Sequence, residues 1–181
     1  MPSVRRVLLV SGSLRARSTN SAVLRAAGTL DLDGIETMLS GHLAVLPPFN
    51  PDDEVGPLPA AVADLRDEIH RADALLFSVP EYAGGLPGSF KNLLDWLIGD
   101  DQPGSIHRKP VAWINASPRG AVLAHDSLRT VLGYAQATIV EAACAHLPVT
   151  AVMLDDTGLI GDPSVSNVLA RSLKALAAHR R

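Results

Sequence analysis

The sequence predicts an α/β protein built around a parallel sheet. Two observations predict it. β-rich apolar runs alternate with segments of helical periodicity along the whole of the 181 residues, as repeated βα units require. The central runs are almost uninterrupted by polar residues, the composition of strands covered by helices on both faces.

Each element follows from its own residues. "VRRVLLVSG", residues 4–12, reads as the first strand. Over residues 21–30, Ala22, Val23, Ala26, Ala27 and Leu30 recur at helical spacing. "GIETML", residues 34–39, is a short second strand. The prolines of "LPPFNPDDEVGPLP", residues 46–59, exclude a helix or central strand there. A second helix starts near Pro59, with Val62, Leu65 and Ile69 on one face and Asp64, Asp67, Glu68 and Arg71 on the other. "ADALLFSVP", residues 72–80, is the third strand, and a helix over residues 89–98 follows it. "PVAWINAS", residues 110–117, is the fourth strand. Leu128, Val131, Leu132 and Ala135 mark the next helix. Residues 138–154 hold the fifth strand, without clear boundaries. Residues 164–179 form the last helix, with Val165, Leu169, Leu173 and Leu176 inward.

No repeat, low-complexity tract or linker interrupts this series, so residues 1–181 are expected to form one domain. Five strands with helices on both faces make a three-layer sandwich. The flavodoxin-like strand order 2-1-3-4-5 is the first topology to expect, and a Rossmann-type half is the alternative.

Composition narrows the function. Hydrophobic residues are 47% and charged residues 19%, as in a soluble globular protein rather than a disordered one. A net charge of -3 provides no basic footprint for nucleic acid. Aromatics at 4% argue against a base-stacking platform. One cysteine, Cys144, excludes a disulfide within the chain and a multi-cysteine zinc site. Its neighbours in "EAACAHLPV" make it a buried small hydrophobe. The six histidines lack metal-ligand spacing, so no metal is expected. The apolar run after Arg5 and Arg6 is too short for a signal-peptide core, and no stretch is fit to span a membrane. A cytoplasmic protein is the default expectation.

In the order 2-1-3-4-5, ligands bind at the carboxyl ends of the strands, in the crevice between strands one and three. The loops bordering that crevice are "GSLRARSTN", "PEYAGGLPG" and "SPRGA". "GSLRARSTN", residues 12–20, leads from a strand into a helix, whose free N–H groups favour an anion. It lacks the lysine of a triphosphate loop and the glycine spacing of a dinucleotide turn, so a terminal phosphate suits it. A plain turn with Ser18 as helix cap is the alternative. "PEYAGGLPG" allows close backbone approach at Gly84 and Gly85, as a flat heterocycle would need. A long structural turn with Tyr82 packed inward is the alternative there. The helix after it is apolar nearly all round. That predicts a subunit contact through Phe90, Leu94 and Trp96 or their neighbours, while Lys91 and Asp95 can pair along the helix. His125 and Asp126 are expected at a solvated helix start.

With these stretches in view, the chain resembles the NAD(P)H-dependent FMN reductases, the flavodoxin-like group of azo, quinone and chromate reductases. Gly12, Ser13, Arg15, Ser18 and Asn20 match the pattern G-S-x-R-x-x-S-x-N. "PEYAGGLPGSFKNLLDW" matches P-E-Y-x-x-x-x-P-G-x-[LF]-K-N-x-x-D-W. The resemblance implies an FMN phosphate cradled by Ser13, Leu14, Arg15, Ser18, Thr19 and Asn20. It implies the flavin ring against Pro80, Glu81, Tyr82 and Ala83, with Ser117 and Gly120 completing the site. It also implies NAD(P)H as co-substrate, a small-molecule electron acceptor (quinone, azo dye, metal oxyanion or free flavin), and a homodimer or dimer of dimers. The cofactor would supply the reactivity, so no catalytic side chain is expected. Two departures stand out: Ala83 replaces a residue that is commonly Asn or another polar residue, and "SPRGA" is poorer in glycine than its counterpart. An electron-transfer protein without its own NAD(P)H oxidation is the alternative function.

Overall fold

The computed structural model describes residues 4–179. Its strands are β1 (Arg5–Ser11), β2 (Ile35–Leu39), β3 (Ala74–Ser78), β4 (Pro110–Asn115), β5 (Thr138–Ile139) and β6 (Ala145–His146). Its helices are α1 (Thr19–Gly28), α2 (Ala60–Arg71), α3 (Gly88–Ile98), α4 (Val122–Tyr134) and α5 (Pro163–Ala178). The sheet is parallel in the order β2-β1-β3-β4-β5, as expected.

Alternate strand residues enter opposite cores. Val7, Leu9, Leu76, Ala112 and Ile114 pack with α1 and α5. Leu8, Val10, Leu75, Phe77, Val111 and Trp113 pack with α2, α3 and α4. The inward residues expected on α5 and α2 are all buried.

The fifth strand position is divided. β5 pairs with the start of β4, and β6 pairs with Ile114 and Asn115 at its end. A 3-10 turn, Glu141–Ala143, separates them. The turn lets Glu141 leave the ladder for solvent, where it forms an ion pair with Arg129. An acidic side chain inside an uninterrupted strand at that place would face a helix-covered sheet.

The three residues named for the seam on α3 are not exposed. Phe90, Leu94 and Trp96 are all buried within this chain. The proline-rich residues 46–59 cover the second apolar face of the helix. The Pro47 carbonyl accepts from Trp96 Nε1 and Asn92 Nδ2, each at 2.9 Å. The Phe49 ring meets Trp96 edge-on at 5.0 Å. Arg66, buried on α2, donates to the Trp96 carbonyl at the end of α3 and pairs with Glu54 of the same segment. Lys91 and Asp95 pair at 2.5 Å, as expected.

Candidate functional site at the carboxyl ends of the strands

The loops after β1, β3 and β4 meet around a cavity of about 610 Å³, within the range of small-molecule sites. A larger depression, about 1280 Å³, lies at the opposite end of the sheet, against residues 100–108 and 133–138. It flanks the amino ends of β4 and β5, where open parallel sheets do not place their ligands.

Gly12 extends β1 by donating to the Ser78 carbonyl at 2.8 Å. A Cβ there would stand 2.8 Å from Val79 Cγ1, so the close passage of the loop over β3 requires glycine. Ser13, Arg15, Ser18, Thr19 and Asn20 then line the cavity. Ser18 caps α1, accepting from the Ser21 N–H at 3.4 Å; its hydroxyl proton remains available. The N–H groups of Thr19 and Asn20 open the helix and have no partner inside it. Asn20 is held from behind: the buried Ser78 hydroxyl lies 2.9 Å from Asn20 Oδ1 and 2.8 Å from the Ile114 carbonyl. That contact ties the first loop to β3 and β4.

From β3, Pro80, Glu81 and Tyr82 line the cavity. Tyr82 is half exposed instead of packed inward. The Glu81 carboxylate accepts from the Ala124 N–H at 3.1 Å. It thus caps α4, whose own N-cap residue, Ala121, has left-handed φ of 44° and no capping side chain. From β4, Ser117, Pro118, Arg119 and Ala121 contribute. A fourth wall, Val149, Thr150 and Ala151, escaped the sequence reading. Val149 is brought there by its N–H bond to the Ala116 carbonyl, which prolongs the β6 ladder. The undivided reading of residues 138–154 concealed this.

Leu14, Ala83 and Gly120 do not line this cavity. Leu14 borders a smaller neighbouring pocket. The Gly120 carbonyl accepts from Asn115 Nδ2 at 2.5 Å and so fixes the third loop. Ala83 and Gly84, with φ of 49° and 74°, form the two-residue turn between Tyr82 and Gly85, whose backbones exchange two hydrogen bonds of 3.1 Å. Such a turn favours Asn-Gly. Asn at position 83 therefore serves the turn, and Ala83 carries left-handed strain of roughly 1–2 kcal/mol. Ala83→Asn is expected to raise the melting temperature by about 1–4 °C. A calorimetric scan showing a lower melting temperature would contradict this assignment.

His125 is buried, not solvated, while Asp126 is exposed. Its Nδ1 donates to the Ala121 carbonyl at 2.8 Å, leaving Nε2 buried and without a hydrogen-bond partner among the described residues. Burial holds its pKa below the usual 6.5, against the opposing pull of the Ala121 bond and the Glu81 charge. The unfolded chain therefore takes up this proton first. The stability from neutral His125 is complete above pH 6.5 and is lost as the pH falls below that value toward the lower folded pKa. His125→Gln should flatten the fall in urea midpoint between pH 7 and 5.5; an unchanged slope would remove His125 as its source. Cys144 is partly buried, and burial pushes its thiol up to about 11, consistent with an inert packing role.

The sequence model of one family, described as NADPH-dependent FMN reductase, matches residues 5–150. A protein named NAD(P)H-dependent FMN reductase, from Pseudomonas aeruginosa, is 33% identical over 94% of this chain and 92% of its own length. A protein named quinone reductase, from Pseudomonas putida, is 32% identical over 90% of this chain and 88% of its own. Among solved structures, a flavoenzyme NAD(P)H:(acceptor) oxidoreductase from Paracoccus denitrificans superposes with a TM-score of 0.80 at 28% identity, covering 96% of each chain.

Proposed function

The chain belongs to the NADPH-dependent FMN reductase family, and from that premise we propose that the cavity between its β1, β3 and β4 loops is the FMN site. The protein is an FMN-dependent oxidoreductase that passes hydride from NAD(P)H through bound FMN to a second acceptor. The observation that carries the site is the convergence of both motif loops on one cavity at the β1/β3 switch point.

The residues present fit the cofactor. The unpartnered Thr19 and Asn20 N–H groups and the hydroxyls of Ser13 and Ser18 are donors suited to a phosphate. Arg15 adds charge at the same wall. Pro80, Tyr82 and Pro118 offer apolar surface for a flat ring. Glu81 contributes by anchoring its loop to α4, and Gly120 by fixing the third loop. Bound FMN supplies the hydride chemistry. The chain's residues bind and orient it and exclude water, which is why no side chain is assigned a catalytic role.

The names of the relatives weight the acceptor toward quinones, with azo dyes, metal oxyanions and free flavin as the wider class. Residues 1–181 are read as one FMN-binding reductase domain. Homodimer or dimer-of-dimers assembly and a cytoplasmic setting belong to the same reading and rest on the resemblance alone. Among the described residues, no helix is long and apolar enough to cross a membrane.

The test is an absorbance spectrum of the purified protein, an FMN titration, and NAD(P)H oxidation with a benzoquinone. Flavin bands and quinone-dependent turnover are expected. A colourless protein that takes up no FMN would overturn the reading.

A further inference from the structure

Two arginines stand on the wall of the cavity, Arg15 from the β1 loop and Arg119 from the β4 loop. The Arg15 guanidinium folds onto the Arg17 carbonyl at 3.2 Å. The Arg119 guanidinium makes no hydrogen bond or ion pair with any described residue; only its backbone N–H is engaged, with Ser117 Oγ at 3.2 Å. The loop beneath it is nevertheless pinned. Asn115 Oδ1 accepts from the Ser117 N–H at 3.0 Å, and Asn115 Nδ2 donates to the Gly120 carbonyl at 2.5 Å. On the other side, His146 Nε2 donates to the Ser117 carbonyl at 2.8 Å. A fixed backbone thus presents an unengaged cation over the cavity, so little ordering remains to be done on binding.

β3 lies between β1 and β4, so the roots of the two loops are about 10 Å apart, two strand spacings. A phosphate held at the start of α1 engages the Arg15 wall and leaves the Arg119 wall without an anion. Glu81, the acidic residue lining the cavity, directs its carboxylate at the α4 start. Arg119 forms no ion pair with Glu81 or with any other described residue, in a chain whose net charge is -3.

We propose that Arg119 is a specificity-determining residue that selects the second, exchanging substrate by its negative charge. The group recognised is an anion: either the extra phosphate that distinguishes NADPH from NADH, or the charge of an anionic acceptor. This rests on the FMN reading above.

The experiment compares wild type with Arg119→Gln and Arg119→Lys. FMN titration comes first. Wild type should bind FMN, and both variants should bind it within about twofold, since charge-assisted contacts to the phosphate lie at the other wall. Steady-state kinetics then use NADPH against NADH, and ferricyanide, an anion, against neutral p-benzoquinone. Arg119→Gln should lower kcat/KM for the anionic member of one pair by roughly 3- to 30-fold relative to its neutral or less charged partner, less than for a buried pair because the site is open to solvent. Arg119→Lys should restore most of it. A change confined to the NADPH/NADH pair assigns the donor phosphate; one confined to the acceptor pair assigns the acceptor. Unchanged ratios in both pairs overturn the proposal while leaving the FMN reading intact. A shift in FMN affinity or in the bound flavin's midpoint potential, with unchanged ratios, overturns it in favour of a contact with the cofactor. Wild type that binds no FMN overturns the underlying reading, and this inference with it.

Discussion

Arg15→Ala is expected to weaken FMN binding by about 10- to 150-fold while leaving riboflavin nearly unaffected. The range corresponds to the loss of one charge-assisted hydrogen bond, roughly 1.5–3 kcal/mol. Riboflavin lacks the phosphate, so a cation that serves the phosphate alone cannot be missed by it. In the structure Arg15 lines the cavity, while the neighbouring Arg17 does not. Arg17→Ala is accordingly the control, with at most a small effect on either ligand. Exposure of Arg15 places the lower half of the range within reach through solvent screening. The measurement is a fluorescence titration of both variants with both flavins. Equal weakening of FMN and riboflavin by Arg15→Ala would mean that the β1 loop does not hold the phosphate.

Lys109→Ala should cost about 3 kcal/mol of stability, combining a cavity with the loss of two charge-assisted hydrogen bonds. The Lys109 side chain is fully buried, and its Nζ donates to the carbonyls of Ile69 and Ala72 at 2.7 and 2.5 Å. These carbonyls end α2, where a cation also meets the negative pole of the helix. For a protein of this size that loss lowers the melting temperature by about 6–12 °C. Lys109→Met keeps most of the volume and isolates the polar part, so it should fall between wild type and alanine. Lys109 sits just before the amino end of β4, about 20 Å along the strand from the FMN loops. FMN affinity of the folded variants should therefore be unchanged. A melting temperature within 2 °C of wild type for Lys109→Ala would dispose of the capping argument.

Both motif loops were legible because their chemistry is local. A helix start with Ser18, Thr19 and Asn20 exposes N–H groups whatever the rest of the chain does. Pro80 ends the β3 segment by itself. The alternation of βα units pointed to a doubly wound parallel sheet, with the order 2-1-3-4-5 the first to expect and a Rossmann-type half the alternative. The misjudged residues are of another kind. Phe90, Leu94 and Trp96 looked like surplus apolar surface, since the periodicity of α3 cannot reveal that residues 46–59 fold across it. His125 looked like a solvated group at a helix start, and nothing in the sequence singled out Arg66 or Lys109. Arg66 and Lys109 meet carbonyls of other elements, Trp96 for Arg66 and Ile69 and Ala72 for Lys109, while His125 turns back onto the Ala121 carbonyl at the cap of its own helix.

The sequence by itself determined the fold class and the two motif loops, and it placed the observed strand order first among two. These depend on backbone propensity, hydrophobic periodicity and cap chemistry, all of which act over a few residues. Only the tertiary structure decided that the fifth strand divides, that Val149 to Ala151 close the cavity, that Ala83 serves a turn, and that Arg119 joins Arg15 in lining one cavity. Those outcomes depend on groups brought together from distant parts of the chain, where a side chain's role is set by the partner it meets and the water it loses, neither of which is written at its own position.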